Sequence, residues 1–332
     1  MSKINSVTIA ASTYGVIPRI SGWIQSVWNN LEGNDYFINN KIQMQVLVVD
    51  DGTPNEAATR LRAQYCQKFN VRYLLNEKNL GIPATWNRIF RESGTDLVVC
   101  FNDDIRMLAP GWLSRLIYVF EHNDHIGGVG LPLVNETGFN WNDPRWDVSP
   151  SKVGAAIGCS FALMPSVLFQ VQNPDESFGF FSRLRSFHEE TTAGFKLAEL
   201  GYDSFMLPWP PCHHMGGATF QANPELVWME PDPYVPMDEF LKYVRSLPWY
   251  IPEYEEYYSK GKVDRMSFSR AMMAKIWGIL DMDPMQEIPG EGMVNIWAEP
   301  QRWIHYKVVT PRPKRPFRWL DREGKEREES NF

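Results

Sequence analysis

The stretch LVVCFNDDIRM, residues 97–107, runs apolar side chains straight into Asn102, Asp103 and Asp104. An apolar run of this length, ended by a turn signal, reads as a strand buried on both faces with carboxylates at its carboxyl end. MQVLVVDDG (44–52) repeats the pattern and ends on Asp50 and Asp51. SVTIAAS (6–12) and VRYLLNE (71–77) read as two further strands. Between the strands lie longer stretches that read as helices, RISGWIQSVWNNL (19–31) and NEAATRLRAQYCQKF (55–69). Strands alternating with helices predict an α/β fold with a mostly parallel central sheet and right-handed crossovers. Ligands of such sheets bind beyond the carboxyl ends of the strands. Both aspartate pairs sit at such ends.

The chain has 332 residues, 44% of them hydrophobic and 14% aromatic, enough for one large core or two smaller ones. VGAAIGCSFALMPSVLFQV, from Val153, has the length of a membrane span. Glycines, Cys-Ser and Pro165 interrupt it, so it reads as buried strand plus turn. The N-terminus enters a strand almost at once and shows no signal peptide. Four cysteines (Cys66, Cys100, Cys159, Cys212) are widely spaced and form no C-x-x-C pair. Free thiols in a reducing cytoplasm are the expectation.

The net charge of −7 gives no global attraction to nucleic acid or anionic lipid. From Lys307 to Arg318 there are five basic residues and no acidic one, before the mixed DREGKEREESNF. This segment reads as a solvated tail, with contact to a polyanionic partner as the alternative. NETGFNWNDPRWDVSPS (135–151) reads as a long loop. Two units are expected: residues 1–223 as the α/β domain, for which the family resemblance described below implies nucleotide-sugar binding and catalysis, and 224–332 as a Trp/Tyr/Pro-rich helical or irregular extension packed on it.

Two readings of the aspartate pairs compete. Each could cap the helix or turn that follows. Alternatively, adjacent carboxylates at a sheet mouth are relieved by a divalent cation shared with substrate phosphates. Two pairs at neighbouring strand ends favour the nucleotide–metal reading. Glu189 and Glu190 head a predicted helix, where acidic residues also suit the helix dipole. CHHMGGATF (212–220) offers His213 and His214, of which at most one is a ligand.

The order of motifs resembles the family 2 glycosyltransferases of GT-A fold over residues 6–220. VTIAASTYG stands where the family has a strand ending in Thr-Tyr-Asn, and VLVVDDGTP looks like its nucleotide-binding strand and turn. NEKNLGIPATWNR resembles the Asn-x-Gly-x-x-x-Ala-x-Asn segment, and VVCFNDDI stands at the metal-binding Asp-x-Asp. NPDESFGFF, HEETTAGFKLAELGY and CHHMGGATF resemble the acceptor-side segment, the Glu-Asp helix and the His-x-Gly-Gly-x-Ser-Phe ending.

The resemblance implies an inverting glycosyltransferase that uses a nucleoside diphosphate sugar, UDP-linked in the commonest case, with Mn2+ or Mg2+. Asp51, with Asp50 beside it, would meet the base or ribose, and Thr13 and Tyr14 would line the same pocket. Asn79 and Gly81 would shape the base-side loop, supported by Asn87. Asp104 would bind the metal, with His214, or else His213, near it. Asn102 takes the first Asp position, and Asp103 would touch ribose or cap the turn. Glu190, with Glu189 as rival, would be the catalytic base. The acceptor is left open among a glycan, a protein, a small molecule and a modified base of viral DNA. A nucleotidyltransferase and a non-catalytic sugar-binding relative are the competing classes. AASTYGVIPRISG is poor in the glycines and basic residues that a triphosphate loop needs.

Overall fold

Four consecutive strands, β1 (Ser6–Thr13), β2 (Gln43–Asp50), β3 (Arg72–Leu75) and β4 (Leu97–Asn102), lie parallel in the spatial order β3-β2-β1-β4. The structure is a computed structural model; it describes residues 3–15, 19–31, 34–134, 149–153, 160–173, 175–180, 182, 189–209, 212–215, 245, 285–288, 292–295 and 315–330. The helices between these strands are α1 (Ile20–Asn30), α2 (Asn34–Asn40), α3 (Glu56–Lys68) and α4 (Ile82–Ser93). Beyond β4 come β5 (Ile105–Met107), α5 (Trp112–His122), β6 (Ile126–Gly130), β7 (Leu133–Val134), β8 (Ser151–Val153) and β9 (Ser160–Leu163). The short α6 (Pro165–Leu168) follows, then α7 (Glu189–Glu199), β10 (Asp203–Met206) and β11 (Cys212–His214).

The full sheet has eight strands in the order β3-β2-β1-β4-β9-β6-β10-β8. β9 runs antiparallel to both of its neighbours, and β8 antiparallel to β10. The fold is therefore α/β with a mostly parallel sheet, as the sequence predicts.

Strand alternation divides the apolar side chains between two cores, one on each face. Val7, Ile9, Val46, Val48, Leu97, Val99 and Phe101 face α1 and α5, where Trp23, Ile24 and Trp112 cover them. Ala10, Leu47, Val49, Val98 and Cys100 face α4 and α7, where Trp86, Phe90, Phe161 and Leu197 close the other core. Nearly continuous Val/Leu runs are the signature of strands covered on both sides.

The expectation of a solvated C-terminal tail is corrected. Residues 317–329 form a hairpin of β14 (Phe317–Leu320) and β15 (Glu326–Glu329), after an earlier hairpin of β12 (Met285–Ile288) and β13 (Gly292–Asn295). Phe317 is wholly buried and stacks on Phe205 at 3.9 Å, and Trp319 joins the same core. Asn123 at the end of α5 clamps the strand, donating to the Arg318 carbonyl at 2.9 Å and accepting from its amide at 2.9 Å. The burial of two aromatic side chains outweighs the solvation of their charged neighbours. This end of the chain is thus a β-hairpin packed against α5 and β10. Most of residues 224–314, the 135–148 part of the long loop and Cys159 lie outside the described residues; Cys66, Cys100 and Cys212 are free and buried.

Candidate functional site

The parallel register brings the ends of β1, β2 and β4 level, pairing Thr13 with Asp50 and Ser12 with Asn102. Everything beyond that line belongs to turns whose side chains the strands aim.

Asp50 ends β2 on the α3 face and is fully buried. It accepts from Arg62 Nη1 at 2.8 Å, the Tyr73 hydroxyl at 2.8 Å and the Thr53 amide at 3.0 Å. Arg62 also donates to Thr53 Oγ1 at 2.9 Å and to the Gly15 carbonyl. The pair thereby ties the turns after β1 and β2 to α3. Asp50 has its partners inside the fold, which is a different placement from the ligand contact expected of it.

Asp51, one residue on, turns to the opposite face and accepts from Asn76 Nδ2 at 2.8 Å and from the amides of Leu80 and Gly81 at 2.9 and 3.0 Å. Burial raises its pKa, against those donors. Asn79 Oδ1 accepts from the same Gly81 amide at 3.1 Å. Gly52 has φ +73°, and a Cβ there would strike the backbone of Lys78 and Asn79, so only glycine lets the two turns meet. Tyr14, Gly52, Pro54, Asn76, Lys78 and Asn79 line a cavity of about 500 Å3 beyond the ends of β1–β3. A second cavity of about 480 Å3 lies by Trp28, Met44 and Gln67 near the amino ends of β2 and β3, away from the carboxylates.

Asp103 and Asp104 form the tight connection from β4 to β5. Asp103 is buried and accepts from the Thr13 hydroxyl. Burial first, and the neighbouring Asp104 charge after it, push its pKa up to about 6, against the Thr13 hydrogen bond. Asp104 is only partly covered. Its Oδ2 lies 3.2 Å from His214 Nε2 and 3.6 Å from Arg19 Nη1. Its Oδ1 is buried without a hydrogen-bond partner. β11 places His214 there because it pairs antiparallel with β5, setting His214 opposite Ile105 and His213 opposite Arg106. The Met215 amide also donates to the Asp104 carbonyl at 3.0 Å. Asn102 is half-buried and accepts from Ser12 Oγ at 3.4 Å.

Asn87 sits apart from the base-side loop it was expected to support. It lies on the α4 face over the 179–182 segment, donating to the Phe180 carbonyl at 2.7 Å and to Ser182 Oγ at 3.2 Å, and accepting from the Phe180 amide at 2.8 Å. Its position with Trp86 and Phe90 on the inward face of α4 sends the amide that way. α7 begins at Glu189, as the sequence predicts; the side chains of Glu189 and Glu190 lie outside the described part. Among the described residues no group of three or more His, Cys, Asp or Glu converges. Two protein donors with an unpaired carboxylate oxygen nonetheless fit a cation that takes its remaining ligands from phosphate and water.

Three arginines escaped the sequence reading. Arg62 carried a legible signal, since Ala58, Arg62 and Cys66 share the buried face of α3 at four-residue spacing. Arg19 and Arg106 carried none. Arg106 Nη1 donates to the Asp103 carbonyl at 2.7 Å and its Nη2 to the Arg19 carbonyl at 3.0 Å.

A family model described as Glycosyl transferase family 2 matches residues 8–190, more than half of the chain. No curated protein sequence matches it. Among solved structures, Staphylococcus aureus TarS 1–349 in complex with UDP is similar at 12% identity and a TM-score of 0.51, covering 82% of this chain and 70% of that one. The mannosyltransferase PcManGT from Pyrobaculum calidifontis, in complex with GDP-Man and Mn2+, is similar at 15% identity and a TM-score of 0.52, covering 82% and 73%. GalNAc-T7 with UDP, GalNAc and Mn2+ shows 13% identity and a TM-score of 0.50; 64% of this chain is covered, and it spans 44% of that chain.

Proposed function

The chain belongs to glycosyl transferase family 2 and is a glycosyltransferase of GT-A fold, and from that premise we propose that it moves a sugar from a nucleoside diphosphate sugar to an acceptor hydroxyl in one inverting displacement. The observation that carries this reading is the convergence of Asp104 and His214 just past the end of β4, the strand that pairs with β1 in the sheet. Asp104 and His214 would hold Mn2+ or Mg2+, and such a cation, when bound, offsets the negative charge that grows on the departing diphosphate. UDP and GDP sugars are the first donors to test, since proteins of similar fold are known with UDP and with GDP-Man.

Tyr14, Gly52 and Asn79 present the cleft wall to the base and ribose. Asp51 fixes the 79–81 loop that forms that wall, and Asp50 with Arg62 fixes the turn beneath it. Thr13 and Asp103 hold the β1 and β4 ends together, which sets where Asn102 and Asp104 stand. Glu190, in the first turn of α7, accepts the proton of the acceptor hydroxyl as that oxygen attacks the anomeric carbon. One base and no covalent intermediate give inversion.

The acceptor we propose is a glycan or another non-nucleic-acid hydroxyl, and the site of action the cytoplasm. Arg315 and Arg318, two of the basic residues of the 307–318 stretch, are engaged by the Gly201 carbonyl and by Glu328, which weakens the case for DNA phosphates. No helix among the described residues is long and apolar enough to cross a membrane.

A thermal-shift screen of nucleotide sugars with and without Mn2+ tests the donor. At a hundred times its dissociation constant a bound donor adds about 2.7 kcal/mol of stability. Glu190→Gln should keep that shift while turnover falls by a factor on the order of 100–10,000. If Glu189→Gln does so instead, the base is one residue earlier. Retained turnover in both variants overturns the single-base displacement.

A further inference from the structure

Behind Asp104 stands a guanidinium that the proposed function does not use. Arg19 leads into α1, and its side chain is about nine-tenths buried, at 10% exposure. Nη1 lies 3.6 Å from Asp104 Oδ2 and is buried with no hydrogen-bond partner. The other oxygen of Asp104, Oδ1, is likewise buried and unpartnered. Two opposite charges meet here without the hydrogen bonds that normally accompany a buried ion pair. A guanidinium offers five donors in a planar fork that matches carboxylate and phosphate oxygens. One donor of Arg19 is therefore aimed into the site and left unused.

The surrounding charges restrict what could take it. Arg106 is the other nearby guanidinium, and its Nη1 is committed to the carbonyls of Asp103 and Ile105 at 2.7 Å each, its Nη2 to the Arg19 carbonyl at 3.0 Å. Asp103 is taken up by Thr13. Arg19 is thus the cation whose side chain can change partner while its backbone stays fixed, because its carbonyl also accepts from the Gly22 and Trp23 amides at 3.1 and 3.2 Å.

A divalent cation held between His214 and Asp104 would meet Oδ2, the oxygen 3.2 Å from His214 Nε2, and the Arg19 guanidinium at 3.6 Å from that oxygen would repel it at short range. The two compete for that oxygen in this arrangement. We propose that Arg19 is an exchangeable counter-cation: it pairs with Asp104 when that carboxylate carries no metal, and turns to a diphosphate oxygen of the donor when it does. Arg19 is then a diphosphate-binding residue as well as a competitor of the metal, and it couples the two binding events. The inference rests on the metal role assigned above to Asp104 and His214.

The coupling gives a signature that loss of structure would not mimic. Removing the competitor strengthens metal binding by the protein alone, while removing the phosphate partner weakens nucleotide binding in the presence of metal. By reciprocity, the factor by which Mn2+ improves UDP binding equals the factor by which UDP improves Mn2+ binding. That shared factor should shrink when Arg19 is truncated.

The experiment measures Mn2+ binding by the paramagnetic resonance of free Mn2+, and UDP binding by calorimetry, on the full chain and on Arg19→Ala, Arg19→Lys and Asp104→Ala. Arg19→Ala is expected to bind Mn2+ alone about tenfold more tightly and UDP with saturating Mn2+ about tenfold more weakly, the scale of one charged hydrogen bond. Arg19→Lys, which keeps the charge without the fork, should fall between. If Arg19→Ala matches the unsubstituted chain in both titrations while Asp104→Ala loses Mn2+, the exchange is overturned and the metal reading stands. If the unsubstituted chain binds no Mn2+ with or without UDP, the metal reading falls and the exchange with it.

Discussion

The ends of β2 and β4 carry the same dipeptide, Asp-Asp, and put it to different uses. At β2 both carboxylates are satisfied by the protein: Asp50 by Arg62, Tyr73 and Thr53, Asp51 by Asn76 and two loop amides. At β4 only Asp103 is, through Thr13, while Asp104 faces His214 and Arg19 with one oxygen unpaired. Alternation along β2 explains the first pair, since neighbours on a strand point to opposite faces, here toward α3 and toward the loop before α4. The second pair sits in a turn, where alternation lapses and the β11 strand supplies the partner. An aspartate's role is set by the donors already around it, and a carboxylate with spare acceptors is the one available to a ligand.

Four substitutions bear on that contrast. Asp104→Ala should have the largest effect, a loss of turnover on the order of a thousandfold together with loss of Mn2+ binding; near-normal turnover with donor and Mn2+ would erase the distinction between the pairs. Asp50→Ala should leave Arg62 as an uncompensated buried charge and cost about 3–5 kcal/mol in denaturant unfolding. A value near zero would mean that Asp50 is not the structural member of its pair. Asp51→Ala strips partners from Asn76 and the Leu80 and Gly81 amides, so about 1–3 kcal/mol of stability should go. UDP affinity should fall with it as the cleft wall loosens.

Asp103→Asn should have the smallest effect, visible as a change in pH dependence. The folded-state pKa of Asp103 is raised to about 6 from 3.8, chiefly by burial. Its contribution to stability is therefore fully present below about pH 3.8 and lost as pH rises through 6. Relative to the unsubstituted chain, Asp103→Asn should gain more at pH 7 than at pH 4 in metal-free unfolding curves. An offset that does not vary with pH would show that Asp103 titrates as an ordinary carboxylate.

Much of this was legible in the sequence because it depends on local pattern. The apolar runs located β1, β2 and β4, and the abrupt charge just past β2 and β4 pointed to the candidate site. The antiparallel insertion of β9 between β4 and β6 was not legible, since nothing in SFAL says which neighbours it takes. Arg19 and Arg106 were hidden for a related reason: a charged residue next to a helix start or on a short strand reads as solvated unless its partner, here some 85 residues away, is known. The hairpin was masked by its own charge. Phe317 and Trp319 alternate with Arg318 as a half-buried strand should, and Gly324, with φ +79°, allows the turn, but the charged residues around them suggested a solvated tail.

That hairpin also sets an order of assembly. Phe205, at the centre of β10, is covered by Phe317, which the ribosome delivers about 110 residues later. At roughly 5–20 residues per second the interval lasts on the order of 5–20 s. Throughout it Phe205 stands without the ring that covers it in the folded chain. The β14–β15 hairpin thus acts as a late seal on strands that precede it in the chain.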